Sequence, residues 1–266
     1  MIANFHTHTS FCDGKNTPEE IVLRAVEKGF SAIGFSGHGY TPFDLRYCMK
    51  DTDRYITEIN RLKAKYKNEI EIYLGVEEDA FNPQNRSKFD YIIGSSHYFC
   101  VGGKYLPIDS NHDYFKKCLE AFGYDTYSLA ETYYSNFVQY ILTYKPHIVG
   151  HFDLITKFDE LDFSLFLDDE KYNKIAEKYT QKAAESGCIF EVNTGAIARN
   201  LRTSPYPAEN LLYVLKKNNA RLILSSDSHV ADTLDYGFDD AVAFVKSVGF
   251  RRLSTIRNRE FAEYDI

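Results

Sequence analysis

Short apolar runs that end in histidine, aspartate or glutamate recur from residue 2 to residue 229, and this recurrence limits the folds open to the chain more than any other feature. The runs at 2–5, 32–35, 70–74, 91–94, 148–149, 188–193 and 222–224 read as short buried strands. Amphipathic stretches at about 17–29, 52–67, 168–186, 207–217 and 237–248 read as helices between them, and 112–143 reads as two helices around Gly123-Tyr124-Asp125. After 248 the chain reads as a basic, polar tail. Alternating strands and helices predict a parallel sheet of seven βα-like units. An open sheet would hold the ends of its outer strands too far apart for residues 6 and 229 to meet. The expected fold is therefore α/β, a closed or distorted barrel with its chemistry at the C-terminal ends of the strands.

Six of the eight histidines (His6, His8, His38, His97, His151, His229) stand just after these runs, and Asp13, Glu77 and Asp227 occupy matching places. His6 and His8 lie two apart on an extended segment, so their side chains leave the same face. Asp13 follows a Cys-Asp-Gly turn that can fold its carboxylate back towards them. A lone histidine is usually a structural or surface residue. Nine candidate ligands at equivalent strand ends are a metal constellation, and they are too many for one ion with open positions. Two or three ions with shared ligands fit better, and Glu77 is suited to bridging because a carboxylate offers two oxygens. Imidazole with carboxylate suits zinc, iron or manganese.

No repeat or low-complexity linker divides the chain, so residues 1–266 are expected to form one domain. A net charge of −7 argues against nucleic acid or an anionic membrane as partner. No signal peptide and no spanning apolar run are visible. The five cysteines (Cys12, Cys48, Cys100, Cys118, Cys188) are odd in number and scattered, and read as free thiols of a cytoplasmic protein. Cys12 is near enough to the histidines to be either a stray ligand or a space-filling neighbour.

Three divalent ions held by three carboxylates, with one hydroxide between them, leave a positive pocket in an otherwise acidic protein. Such a pocket attracts a dianionic phosphate, lowers the pKa of bound water and clamps phosphoryl oxygens during in-line displacement. The expected reaction is hydrolysis of a phosphate ester.

His6-Thr7-His8 with Asp13, Gly37-His38, Gly75-Val76-Glu77, Ser96-His97, Gly150-His151-Phe152-Asp153 and Ser226-Asp227-Ser228-His229 together resemble the motifs of the polymerase-and-histidinol-phosphatase (PHP) superfamily. Ser36-Gly37-His38, the run from Gly75 to Asp79, and Glu191-Val192-Asn193-Thr194-Gly195 with Arg199 and Arg202 behind it are most similar to its histidinol-phosphate phosphatases. The resemblance implies a distorted (β/α)7 TIM-like barrel with three metal ions. It assigns His6, His8, Glu77 and Asp227 to one ion, Glu77 with His97 and His151 to a second, and Asp13, His38 and His229 to the third. Asp13 departs from relatives that carry histidine there, which leaves the identity of the third metal open.

On the substrate side, the guanidinium forks of Arg199 and Arg202 match phosphate oxygens, and Lys157 is placed to assist. Histidinol phosphate also carries an amine and an imidazole. Strand alternation puts Asp79 on the side of Glu77, so Asp79 is the candidate for contacting the amine or for protonating the leaving alkoxide. Tyr98, Phe99, Tyr133 and Tyr134 are candidates for the wall of the imidazole pocket. The implied activity is hydrolysis of L-histidinol phosphate in histidine biosynthesis, with Glu77, Asp227, Asp79 and Arg199 as the catalytic set and a metal-bridging hydroxide as nucleophile. Alternatives are another small phosphate ester such as a nucleotide or sugar phosphate, an amidohydrolase, or a non-catalytic, metal-stabilised scaffold module.

Overall fold

The computed structural model describes residues 2–266. In chain order the elements are β1 (Ala3–Asn4), α1 (Pro18–Glu27), β2 (Ala32–Phe35), α2 (Thr52–Lys65), β3 (Glu71–Asp79) and β4 (Tyr91–Ser95). A hairpin of β5 (Tyr98–Val101) and β6 (Lys104–Pro107) precedes α3 (His112–Ala121) and α4 (Thr126–Tyr144). Then come β7 (Ile148–Val149), α5 (Glu170–Ala184), β8 (Ile189–Asn193), α6 (Gly195–Ala198), α7 (Glu209–Lys217) and β9 (Arg221–Ser225). The chain finishes with α8 (Phe238–Val248), β10 (Arg252–Arg257) and β11 (Glu260–Asp265). The helix starts follow local chemistry. At α1, Thr17 accepts from the Glu20 backbone N–H, the Glu20 carboxylate accepts from that of Thr17, and Pro18 opens the first turn.

Seven strands, β1-β2-β3-β4-β7-β8-β9, run parallel in that spatial order. The sheet curls until its first and last parallel strands meet beyond their ends. Thr7 bridges Ser228, His8 N–H donates to the Ser228 carbonyl at 2.8 Å, and Ser228 N–H donates to the His6 carbonyl at 3.2 Å. The result is the distorted (β/α)7 barrel expected from the sequence. It departs from regular alternation between β3 and β4, where a short 3-10 turn, Arg86–Lys88, stands in place of a helix. That connection contains Pro83 and is too short to hold a helix that crosses the sheet.

The segment read as a polar tail is instead the hairpin β10–β11. β10 joins β9 in parallel at Ser254, and β11 pairs antiparallel with β10. The hairpin turn passes under the barrel, where Asn258 N–H reaches Glu71 at 3.1 Å and Phe261 stacks on His147. Charged residues flank single apolar ones in this stretch, so its strand character comes from the partners that tertiary structure supplies.

Phe5, Tyr91, Ile93, Ile148, Ile189, Ile223 and Ile256 fill the barrel interior. Each contributes about 1.5–3 kcal/mol by leaving water. Gly75 makes room for this layer, since a Cβ there would lie 2.3 Å from Cζ of Tyr91. The Tyr91 hydroxyl crosses the interior to donate to the Phe5 carbonyl. Helices α3, α4, α5, α7 and α8 pack the outer face on one side, and α1 and α2 pack it on the other. Above the apolar plug, at the C-terminal ends of the strands, the interior turns polar.

Candidate metal centre

Alternation along β3 decides what reaches the centre. Tyr73 joins the interior cluster, whereas Leu74 packs against the outer helices. Four residues on from Tyr73, Glu77 faces inward. Its neighbour Glu78 faces out, where it pairs with Arg86 at 2.5 Å and accepts from the Tyr140 hydroxyl at 2.6 Å. Glu77 is 1% exposed and sits at the hub of the histidines. Its Oε2 lies 3.3 Å from His6 Nε2, 3.5 Å from His8 Nε2 and 2.9 Å from His38 Nδ1. Its Oε1 lies 3.3 Å from His97 Nε2 and 3.0 Å from His151 Nε2. The two oxygens of one carboxylate thus address two separate sets of imidazoles.

Asp13 folds back as the Cys-Asp-Gly turn suggested. Cys12 and Gly14 both donate their backbone N–H to the Thr9 carbonyl, and a Cβ on Gly14 would lie 2.5 Å from the His8 carbonyl carbon. The turn places Asp13 3.2 Å from His8, 3.6 Å from His38 and 3.3 Å from His229. Asp227, at the end of β9, adopts the left-handed region with φ 47°, a strained backbone of the kind often held at functional sites. Its Oδ1 lies 3.1 Å from His8 Nε2 and 3.6 Å from His6 Nε2, and its Oδ2 accepts from Arg199 at 3.0 Å.

All nine positions named from the sequence therefore converge. Their donor atoms form four overlapping groups that could hold ions: His8, Asp13, His38 and His229; His6, Glu77 and His151; His6, His8 and Asp227; His38, Glu77 and His97. Cys12 belongs to none of them among the described residues; its Sγ packs 3.6 Å from His8 Nδ1. The donor set fits divalent cations. His6 Nε2, His8 Nε2, Asp13 Oδ1 and Glu77 Oε2 are buried, close to opposite charge, and in hydrogen-bond geometry with nothing. Buried polar atoms of this kind carry a large desolvation penalty, and a shared cation at their point of convergence removes it.

The electrostatics agree. Burial opposes the charge on His6, but Glu191, Glu77 and Asp227 outweigh it and raise its pKa to about 10. Burial likewise opposes the charge on His97, and Glu77 and Asp79 raise it to about 9. Burial works against ionisation of Glu77 and Asp227, yet the surrounding histidines, with Arg199 beside Asp227, hold both well below the usual carboxylate range. The raised values of His6 and His97 reflect the carboxylates that face them, and bound cations would compete for the same ring nitrogens.

The site opens into a cavity of about 320 Å³. Lys157, Arg199 and Asp79 line it, together with Tyr47, Tyr98, Asp109 and Ser110. Arg199 donates to the carboxylate and the carbonyl of Asp227. Lys157 pairs with Asp109 at 3.1 Å. Asp79 reaches the cavity, but Oδ1 accepts from Phe81 N–H and Oδ2 from His97 N–H, both at 2.9 Å, with His97 Nδ1 3.3 Å away. Its carboxylate thus holds His97 in place.

Arg202 does not line the cavity among the described residues. It is buried with its guanidinium 4.4 Å over the Tyr206 ring, 3.3 Å from Glu160 and 3.8 Å from Asp153, and it donates to Thr156. Its guanidinium is engaged by these two carboxylates, Thr156 and the Tyr206 ring, away from the cavity where the phosphate contact was expected. Tyr133, Tyr134 and Phe99 belong to the outer core and not to the cavity wall, leaving Tyr98 from that set.

Glu191, Asp109 and Tyr47 belong to the site without a role legible in the sequence. Glu191 accepts from His6 Nδ1 at 2.6 Å; its signal was an acidic residue inside an apolar strand run. Asp109 follows the β5–β6 hairpin, and nothing local distinguishes it from a surface aspartate.

A barrel whose strand ends gather overlapping histidine–carboxylate groups around one shared glutamate defines a divalent-metal-site protein. The PHP domain family model matches residues 4–195, and the chain belongs to this family. It is similar to the histidinol-phosphatase of Bacillus subtilis, 28% identical over 88% of this chain and 96% of that one. It is also similar to the histidinol-phosphatase of Lactococcus lactis subsp. lactis, 24% identical over 95% of this chain and 92% of that one. The solved Lactococcus lactis histidinol phosphate phosphatase, complexed with zinc, L-histidinol and phosphate, shares the fold at a TM-score of 0.75. That match is 22% identical in sequence and covers 98% of each chain. Among the described residues no helix is long and apolar enough to cross a membrane.

Proposed function

We propose that this chain is a metal-dependent phosphomonoesterase that hydrolyses L-histidinol phosphate to L-histidinol and phosphate, a step of histidine biosynthesis. The observation that carries the reading is the placement of Glu77, whose two oxygens face different histidine sets at the floor of a cavity that also presents Arg199. The histidinol-phosphatases it resembles over most of their length support the choice of substrate.

In this reading His6, His8, Glu77 and Asp227 hold one ion, Glu77, His97 and His151 a second, and Asp13, His38 and His229 a third. The ions, when bound, supply Lewis acidity towards the phosphoryl oxygens and a water acidic enough to be hydroxide at neutral pH. The number three and the choice of zinc, iron or manganese belong to the proposal. Arg199, anchored on Asp227, turns a fixed positive charge towards the phosphoryl group and stabilises charge as it builds there. Asp79 orients His97 and is thereby committed away from the substrate. Asp109 takes over the role of amine partner: it lines the cavity, and Lys157 occupies only its Oδ2 and carbonyl among the described residues. Tyr47 and Tyr98 offer apolar faces to an imidazole. The nine positions run from 6 to 229 within one functional domain, and five free thiols fit a cytoplasmic setting.

Phosphate release from L-histidinol phosphate, p-nitrophenyl phosphate and a nucleotide, with protein reconstituted with manganese, zinc or iron, tests the reading. Selective turnover of histidinol phosphate that chelation abolishes is the expected result. Equal activity on every ester would remove the histidinol assignment and leave the phosphoesterase; no activity with metals bound would turn the reading to a scaffold.

A further inference from the structure

Glu191 is fully buried on the inward face of β8, and every bond it makes reaches the metal centre or its supports. Its Oε1 lies 2.6 Å from His6 Nδ1. Its Oε2 accepts from the His151 backbone N–H at 2.9 Å and from the Asn193 side-chain amide at 2.8 Å. Asn193 is fixed in turn, since its Oδ1 accepts from the Gly195 N–H at 2.8 Å. The carboxylate is therefore held from behind by two donors, one on the loop after β7 and one on β8, before it meets His6. One carboxylate ties β1, the start of the His151 loop and β8 together.

We propose that Glu191 is the positioning residue that sets the metal affinity of the groups containing His6. With Oε1 accepting from Nδ1–H, the His6 ring is fixed in orientation and its Nε2 lone pair is aimed at Glu77 and Asp227, where it can ligate. On the other side of the centre His8, His38 and His229 contact Asp13, and Glu191 touches none of them among the described residues. The effect of Glu191 is thus local to one part of the cluster. The inference rests on the metal-centre reading of the site.

The substitution Glu191→Gln isolates the role. Its amide cannot satisfy both sides. With the NH2 turned to His6 it favours the tautomer whose Nε2 carries a proton and cannot bind metal. With the NH2 turned back it faces two existing N–H donors. The experiment is a zinc titration of metal-stripped wild type and variant in competition with a chromophoric chelator, alongside thermal unfolding of both metal-free forms. The expected result is a loss of about 10- to 100-fold in the affinity of one class of sites while another class is unchanged, in keeping with the usual cost of removing a ligand's carboxylate partner. Glu191→Asp, which keeps the charge but shortens the reach, should recover part of the loss, and it provides the measurement if the glutamine variant does not fold. Zinc affinities of all classes within twofold of wild type in a folded variant would overturn the inference. So would an equal weakening of every class in step with lost stability. Failure of wild type to bind zinc would instead overturn the metal-centre reading itself.

Discussion

Glu77 Oε1 lies 3.0 Å from His151 Nε2, while the other oxygen of the same carboxylate lies 2.9 Å from His38 Nδ1 on the opposite side of the barrel mouth. Glu77→Gln replaces one of those oxygens by an amide that cannot ligate, so it should cost the site metal as well as rate. We expect kcat/KM to fall by at least about 100-fold, with bound metal per chain reduced on elemental analysis. Chelation of wild type should abolish turnover and lower Tm, because a ligand that binds only the folded state stabilises it, by about 2.7 kcal/mol at a hundred times Kd.

The two arginines separate cleanly. Arg199 lines the cavity, so Arg199→Ala should weaken inhibition by inorganic phosphate and lower kcat/KM by about 10- to 100-fold, the usual worth of a charge-assisted contact, with little change in Tm. Arg202 is buried between Asp153 and Glu160. Arg202→Ala strands those carboxylates and should cost about 3–5 kcal/mol of stability, seen as an earlier urea transition. Equal stability loss in both variants would contradict this division.

Asp109 should matter only to substrates with a cationic end. Asp109→Asn is expected to lower kcat/KM for histidinol phosphate by about 10- to 100-fold and to leave p-nitrophenyl phosphate within about threefold. A parallel drop on both substrates would assign Asp109 to the architecture of the site, through its bond to Lys157, and not to selectivity.

Gly75→Ala tests the packing beneath the centre. The added methyl would meet the Tyr91 ring at 2.3 Å. Overpacking of this kind costs about 1–3 kcal/mol, measurable by denaturant unfolding. A more stable variant would mean that the ring has room to shift.

Thiol reactivity provides the pH test. Burial, followed by the nearby negative charge of Asp109, pushes the Cys118 thiol up to about 12, whereas Cys100 is exposed. A raised thiol pKa keeps the folded state protonated after the unfolded chain, near about 8.5, has begun to ionise. The contribution of Cys118 to stability is therefore whole below that pH and declines as pH rises from about 8.5 towards 12. At pH 8 a thiol reagent should label Cys100 quickly in the native protein and Cys118 only on unfolding, as read by mass spectrometry. Rapid native labelling of Cys118 would show that its environment opens.

The seven parallel strands and the nine histidine and carboxylate positions were legible in the sequence because both are local patterns. Strand periodicity aims every second side chain to one face, and short apolar runs mark where each strand delivers its last residue. The same locality explains the misreadings. The hairpin β10–β11 is made a strand pair by pairing with β9 and by contacts to Glu71 and His147 far away in the chain. Arg202 carries the same charge as Arg199 three residues earlier, and only packing sends one to the cavity and the other beneath Tyr206. Sequence alone determined which chemistry the chain carries and at which ends of which strands. Tertiary structure decided which buried charges meet one another, because the cost of burying a charge depends on the partners around it, and residues as distant as His6 and Glu191 become partners only when the barrel closes.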